Sequence, residues 1–292
     1  MIIEIDQAGG FCFGVEKATR AAEDALSAGI ETYCLGQMVH NPEEIKRLRA
    51  LGLREIEQSQ LPSIAQKSLI FRAHGEPPET YEAIRQADIK LIDATCPVVL
   101  ALQKKIKAAW LKYPESQIVI FGKPDHPEII GLNGNIQYQA IVVSNPNSDL
   151  DKIDFSKPVV VFSQTTQSQE DFDEIVAGIA DRLRDAGLNP ETCLRVERTI
   201  CRQVSKRVPA LKQFASSHDV IVFVCGVNSS NGKYLFSIAK SANPSTYMVE
   251  SEKDLQKDWF EGATRAGISG ATSTPRWQLE KVANAVKTLV GC

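Results

Sequence analysis

Seven cysteines stand at positions 12, 34, 96, 193, 201, 225 and 292, and no two of them form a C-x-x-C pair. Three of them, Cys12, Cys96 and Cys201, fall in short turns between an apolar strand-like run and an amphipathic segment. A thiol in that position faces unpaired backbone N–H groups and the positive end of a helix dipole. Both are expected to lower its pKa and favour thiolate, the form that binds metal or attacks an electrophile. Cys34 and Cys225 lie inside strand-like runs and read as inert buried thiols. An odd number of scattered cysteines argues against a disulfide framework, and the scatter excludes a compact zinc ribbon. Any cofactor shared by these thiols must be gathered by the fold from distant segments.

Histidine is scarce, and three of the four occupy turns after strands: His40 in GQMVHN, His74 in FRAHGEPP and His126 in GKPDHPEIIG. One histidine in a turn is commonly a solvated one, but three in matching contexts point to a pocket. His218, in SSHDV, precedes a strand and reads as structural. Glu128 follows His126 across Pro127 at an expected helix start. It reads equally as a first-turn carboxylate favoured by the dipole or as a general acid. Polar turns follow two strands, at Ser163–Thr166 and Asn228–Asn231, and a third, Ser269–Thr274, precedes the last helix. Their hydroxyls, amides and N–H groups suit helix capping or phosphate oxygens. The stretch GVNSSNGKY has one residue too many for a Walker loop, and Tyr234 stands where Ser or Thr is required, so an NTPase is rejected.

The positioning elements follow an α/β rhythm. Short β-branched runs such as Lys90–Thr95, Gln117–Gly122 and Val159–Phe162 alternate with amphipathic segments to the end of the 292 residues, which predicts mostly parallel strands. One unit recurs three times: a strand, an acidic residue, a short turn with Cys, then a helix, in IEIDQAGGFCFGVEKA, KLIDATCPVVLALQKK and LRVERTICRQVSKR. Helices are expected from Lys233 and from Thr274 to Gly291, and a buried strand over Asp219–Cys225. The organisation expected is three similar lobes. Residues 1–97 carry Cys12, His40 and His74 and end at Cys96; 98–195 carry His126, Glu128 and Thr165; 196–292 carry Cys201, Ser229, Asn231 and Ser273.

The net charge of −3, without a block of either sign, supplies no basic footprint for nucleic acid, so a small-molecule substrate is expected. Glu4 and Asp6 stand where a signal peptide would carry Lys or Arg, apolar runs such as Val220–Val227 are too short to span a bilayer, and Cys292 as the last residue makes no prenylation box. The expectation is a cytoplasmic protein with no membrane contact.

The ordered strings GFCFGV, GQMVHN, RAHGEPP, DATCPVV, HPEIIG, SQTTQS, TICRQ, NSSN and ATSTP, over residues 10–275, resemble the LytB/IspH family, the 4-hydroxy-3-methylbut-2-enyl diphosphate reductases. The resemblance implies three α/β lobes around a central 4Fe-4S cluster with one iron not ligated by protein. It further implies reductive dehydroxylation of the allylic diphosphate to isopentenyl and dimethylallyl diphosphate, the last step of the non-mevalonate isoprenoid pathway. Cys12, Cys96 and Cys201 match the cluster ligands. His40, His74, Ser229, Asn231 and Ser273 match the groups that hold the diphosphate, with Ser230 beside them. Glu128 matches the proton source, and His126 and Thr165 line the substrate near it. Because no G-x-G-x-x-G fingerprint is present, electrons are expected from reduced ferredoxin or flavodoxin.

Two departures from the family pattern stand out. Arg202 and Gln203 follow Cys201 directly, where they could alter the surroundings of the third ligand. In GISGATSTP the glycine comes one position early, so Thr272 competes with Ser273 for the diphosphate; the offset from Pro275 favours Ser273. The rival readings are a metal-free thiol redox enzyme and a non-catalytic iron-sulfur or phosphate-binding module.

Overall fold

The computed structural model describes residues 1–145 and 148–291; Cys292 lies outside the described residues. The strands are β1 (Ile2–Ile5), β2 (Thr32–Leu35), β3 (Arg54–Ile56), β4 (Ser68–Phe71), β5 (Lys90–Asp93), β6 (Gln117–Phe121), β7 (Ile141–Val143), β8 (Val159–Ser163), β9 (Leu194–Val196), β10 (Val220–Val224), β11 (Thr246–Val249) and β12 (Arg265–Gly270). The helices are α1 (Phe13–Ser27), α2 (Pro42–Ala50), α3 (Pro78–Gln86), α4 (Pro97–Lys112), α5 (Pro127–Gly134), α6 (Gln169–Asp185), α7 (Pro190–Cys193), α8 (Arg202–Ser216), α9 (Ser230–Ala242) and α10 (Arg276–Val290). The strands form three sheets and the alternation is the α/β pattern expected from the sequence. Backbone contacts group the chain into two compact units, one of residues 1–57, 67–72 and 202–292, the other of 58–66 and 73–201.

The first unit holds a parallel sheet in the order β1-β12-β10-β11, and a second set in which β2 pairs in parallel with β3 and β4. The first strand, grouped by the sequence with the early lobe, thus lies beside β12, with Ile2 opposite Arg265. Val220, Val222 and Val224 pack towards Leu279, Val282 and Val286 of α10, while Ile221, Phe223 and Cys225 face Leu211 of α8 and Leu235 of α9. Both faces of β10 are covered, which is why the strand is an unbroken apolar run instead of an alternating one.

The second unit repeats this logic in a parallel sheet ordered β7-β6-β8-β9. Val119 and Phe121 meet Phe172, Ile175 and Ile179 of α6, whereas Ile118 and Ile120 meet Leu102 and Ile106 of α4 and Ile129 of α5. A strand exposes its chain end and the following helix's unpaired N–H groups at the same edge, so polar turns collect at the carboxyl ends of parallel strands. Among the described residues, no helix is long and apolar enough to cross a membrane.

Candidate active site

All three recurrent units fold as read: β1 leads through Cys12 to α1, β5 through Cys96 to α4, and β9 through Cys201 to α8. Cys12 and Cys96 are the N-cap residues of their helices, Cys201 immediately precedes Arg202, and all three side chains are half-buried. Cys34 and Cys225, by contrast, are fully buried, and burial pushes the Cys225 thiol up to about 12. One expectation is corrected. Cys96 does receive the N–H groups of Val98 and Val99, which favour its thiolate, but desolvation outweighs them, and the neighbouring Cys201 and Glu128 push the same way, so its pKa is raised.

In the second unit, five other predicted residues gather around Cys96. Glu128, in the first turn of α5, is 2% exposed, and burial pushes its carboxyl up to about 7 against the opposing hydrogen bonds of Thr165. The backbone N–H of Thr165 donates to one carboxyl oxygen and its hydroxyl to the other, each at 2.7 Å. The carbonyl of the same Thr165 accepts the Cys201 N–H at 2.8 Å, so one residue orients both the carboxyl and the third thiol. His126 caps α5, its Nδ1 accepting the Glu128 N–H at 3.1 Å. That bond leaves Nε2 to carry the ring proton when the imidazole is neutral. The His74 ring stands edge-on to His126 with centroids 5.2 Å apart, and the turn before it is tied to the thiol turn by the Cys96 N–H to Ala73 carbonyl bond at 3.1 Å. Thr199 fixes the approach to Cys201, accepting the Ser163 N–H at 2.8 Å and donating to the Ser163 carbonyl at 2.7 Å.

The first unit gathers the remaining residues. Ser229 is the N-cap of α9, its Oγ accepting the Gly232 N–H at 3.0 Å, and it lies 3.3 Å from Ser273 Oγ. Ser273 also donates to the His40 carbonyl at 3.3 Å. Asn231 is 6% exposed; its Oδ1 accepts the Thr272 hydroxyl at 2.7 Å and the Thr272 N–H at 3.3 Å. Its Nδ2 is buried and has no hydrogen-bond partner among the described residues. A buried amide donor left unmade is costly, and a ligand oxygen would satisfy it. Ser230 follows, half-buried, as the first residue of α9. The turns meet because residue 226 is glycine: a Cβ there would sit 2.8 Å from the His40 carbonyl oxygen. Cys12 belongs to the same assembly through its N–H, which donates to the Thr272 carbonyl at 3.3 Å.

Helix α9 starts at Ser230, three residues before the expected Lys233, because the Ser229 cap carries the Asn-Gly stretch into the helix. Arg202 and Gln203 are exposed, and the guanidinium that is buried near a cysteine belongs to Arg207, which the sequence reading passed over. Its signal was present: Arg207 falls in the buried stripe Val204, Leu211, Ala215 of α8. His218 is structural as expected, its ring held within hydrogen-bond distance of the Phe214 carbonyl and of Glu4.

Residues 3–287 match the family described as LytB protein. A relative from Bacteroides fragilis, called 4-hydroxy-3-methylbut-2-enyl diphosphate reductase, is 42% identical over 290 residues, covering 99% of this chain and 98% of its own. One of the same name from Porphyromonas gingivalis is 43% identical over 292 residues, covering 99% of each. Among solved structures, that of (E)-4-hydroxy-3-methyl-but-2-enyl diphosphate reductase, described as the terminal enzyme of the non-mevalonate pathway, superposes with a TM-score of 0.73 at 35% identity, covering 99% of this chain and 100% of that one. The E-1-hydroxy-2-methyl-but-2-enyl-4-diphosphate reductase from Plasmodium falciparum gives 0.84 at 25% identity, covering 98% and 88%. With the match running nearly end to end and the polar turns folded where its motifs lie, the chain belongs to the LytB protein family.

Proposed function

We propose that this chain is a 4-hydroxy-3-methylbut-2-enyl diphosphate reductase, which removes the allylic hydroxyl as water and forms isopentenyl and dimethylallyl diphosphate, in the cytoplasm, as the last step of the non-mevalonate pathway. The observation that carries the reading is the buried Glu128 carboxyl, held through both oxygens by the residue that also holds Cys201.

The assigned cofactor is a 4Fe-4S cluster on Cys12, Cys96 and Cys201, with one iron left without a protein ligand. The donor set fits. Three half-buried thiols each immediately precede a helix. Burial favours the protonated form of Cys96, which suits a nucleophile poorly; a metal cation reverses that preference by binding the thiolate. When bound, such a cluster supplies electrons singly and a Lewis-acidic iron for the substrate oxygen. The electron donor assigned is a one-electron carrier, ferredoxin or flavodoxin.

The protein's own groups supply protons and orientation. Glu128, with its pKa near neutrality, keeps a proton where an ordinary carboxyl would have lost it, and can deliver it to the departing oxygen. Thr165 can pass that proton on, since its hydroxyl both accepts and donates. His126 lines the same pocket beside His74, and burial of the carboxyl excludes competing water. The diphosphate falls to His40, His74, Ser229, Ser230, Asn231 and Ser273. The buried Asn231 Nδ2 is a ready donor to a phosphate oxygen. Ser273, paired with Ser229, is preferred to Thr272, whose hydroxyl is engaged in orienting Asn231. Hydrogen-bond donors rather than a Lys/Arg clamp then fix the anion.

The test is anaerobic incubation of iron- and sulfide-reconstituted protein with the diphosphate substrate and a dithionite-reduced viologen. Both isoprenoid diphosphates are expected. Protein with full iron content that consumes no substrate would contradict the assignment.

A further inference from the structure

Arg207 is 6% exposed, yet among the described residues no carboxylate is bonded to it. Its Nη1 donates to the Gly10 carbonyl at 2.8 Å and its Nη2 to the Gly270 carbonyl at 2.6 Å, while Nε is buried and finds no partner among the described residues. The Gly10 carbonyl belongs to the turn after β1, and the Gly270 carbonyl ends the adjacent strand β12, where a second turn begins. The first turn runs on to Cys12; the second runs on to Thr272 and Ser273. The same two turns are joined by the Cys12 N–H to Thr272 carbonyl bond. The anionic groups that act on Arg207 are Asp6 and Cys12. Asp6 is already engaged, accepting the Ser269 hydroxyl at 2.8 Å and the Ala8 N–H at 2.9 Å. A guanidinium taken out of water without a directly bonded counter-ion is costly unless nearby negative charge offsets it.

We propose that Arg207 is a positioning residue that clamps the Cys12 turn to the anion-binding turn at Thr272 and Ser273, with its charge directed at the metal cluster that Cys12 ligates. This inference rests on reading Cys12 as a cluster ligand. Its chemistry suits the role: the planar fork spans two carbonyls at once, and a fixed cation near thiolate-bound iron stabilises the added negative charge of the reduced state. A Lys would keep the charge and lose the bridge. Methionine would fill similar volume and lose both.

The experiment compares reconstituted wild-type, Arg207→Lys and Arg207→Met proteins, with circular dichroism to establish folding. Three readouts are taken: the fraction of cluster reduced at a fixed solution potential, the rate of iron loss to a chelator, and inhibition by inorganic diphosphate. Arg207→Met is expected to lower the reduced-to-oxidised ratio about tenfold, the factor set by a charge interaction of ~1.4 kcal/mol in a partly screened site. Arg207→Lys is expected to hold that ratio within about threefold. It should still lose iron faster and bind inorganic diphosphate more weakly, because one ammonium cannot reproduce the fork. If Arg207→Met does not fold, the iron-loss rate of Arg207→Lys decides. Variants that match wild type in reduction and in iron loss would overturn the inference alone. A wild-type protein that takes up no cluster would overturn it together with the proposed function.

Discussion

Replacing Glu128 by Gln separates proton supply from shape. The amide keeps one oxygen for the Thr165 N–H, and its NH2 can donate to a Thr165 hydroxyl that turns to accept, so both 2.7 Å contacts survive with their roles exchanged. What disappears is the proton. General acid catalysis is worth about 10²–10⁴-fold, so turnover should fall by that factor while KM stays within about threefold. The structure adds an independent check through pH. Burial raises the Glu128 pKa from 4.5 to about 7, so between those values the folded protein binds more protons than the unfolded chain and stability falls as pH rises. A rise of that size corresponds to a loss of about 3 kcal/mol that is complete just above pH 7 and absent below about 4.5. Chemical denaturation between pH 5 and 8 should show that slope in the wild type and a flatter profile in Glu128→Gln. Steady-state assays over the same range should show wild-type kcat declining above about pH 7. A variant with full iron content and near-normal turnover would refute the proton-donor role, and parallel stability profiles would refute the buried-acid argument.

Thr165→Val removes the hydroxyl that favours the Glu128 carboxylate and keeps the N–H; kcat should fall about tenfold and its alkaline limb move to higher pH, checked by a pH–rate profile. Asn231→Asp keeps the acceptor for Thr272 but turns the unpartnered buried donor into an anion facing the diphosphate, and KM should rise by at least about 30-fold, measured in initial-rate assays. Gly226→Ala forces a methyl within 2.8 Å of a backbone oxygen at His40, so thermal unfolding should show about 1–3 kcal/mol of destabilisation, with weaker diphosphate inhibition.

Much of this was legible in the sequence because its signals are local. Strand, acid, turn, Cys and helix lie within one stretch, so the helix starts behind Cys12, Cys96 and Cys201 could be read from periodicity alone. Glu128 could be placed at a helix start but not assigned, since only the fold seals it from water and sets Thr165 against both oxygens. Burial likewise decided the direction at Cys96, where the local dipole argument pointed the other way. The pairing of β1 with β12 spans the length of the chain and leaves no mark in either strand's composition. Arg207 illustrates the remaining gap: its position in an apolar stripe was visible, but its two carbonyl partners come from turns that only the tertiary structure brings together.

The most direct test of the thiol assignment is iron and sulfide analysis of anaerobically prepared protein, with Mössbauer spectroscopy, for the wild type and for Cys12→Ser, Cys96→Ser and Cys201→Ser. Brown wild-type protein with about four irons per chain, one of them spectroscopically distinct from the rest, is expected, with loss of the cluster in each variant. A colourless wild-type preparation, or a Cys→Ser variant that keeps its full iron and sulfide, would contradict that assignment.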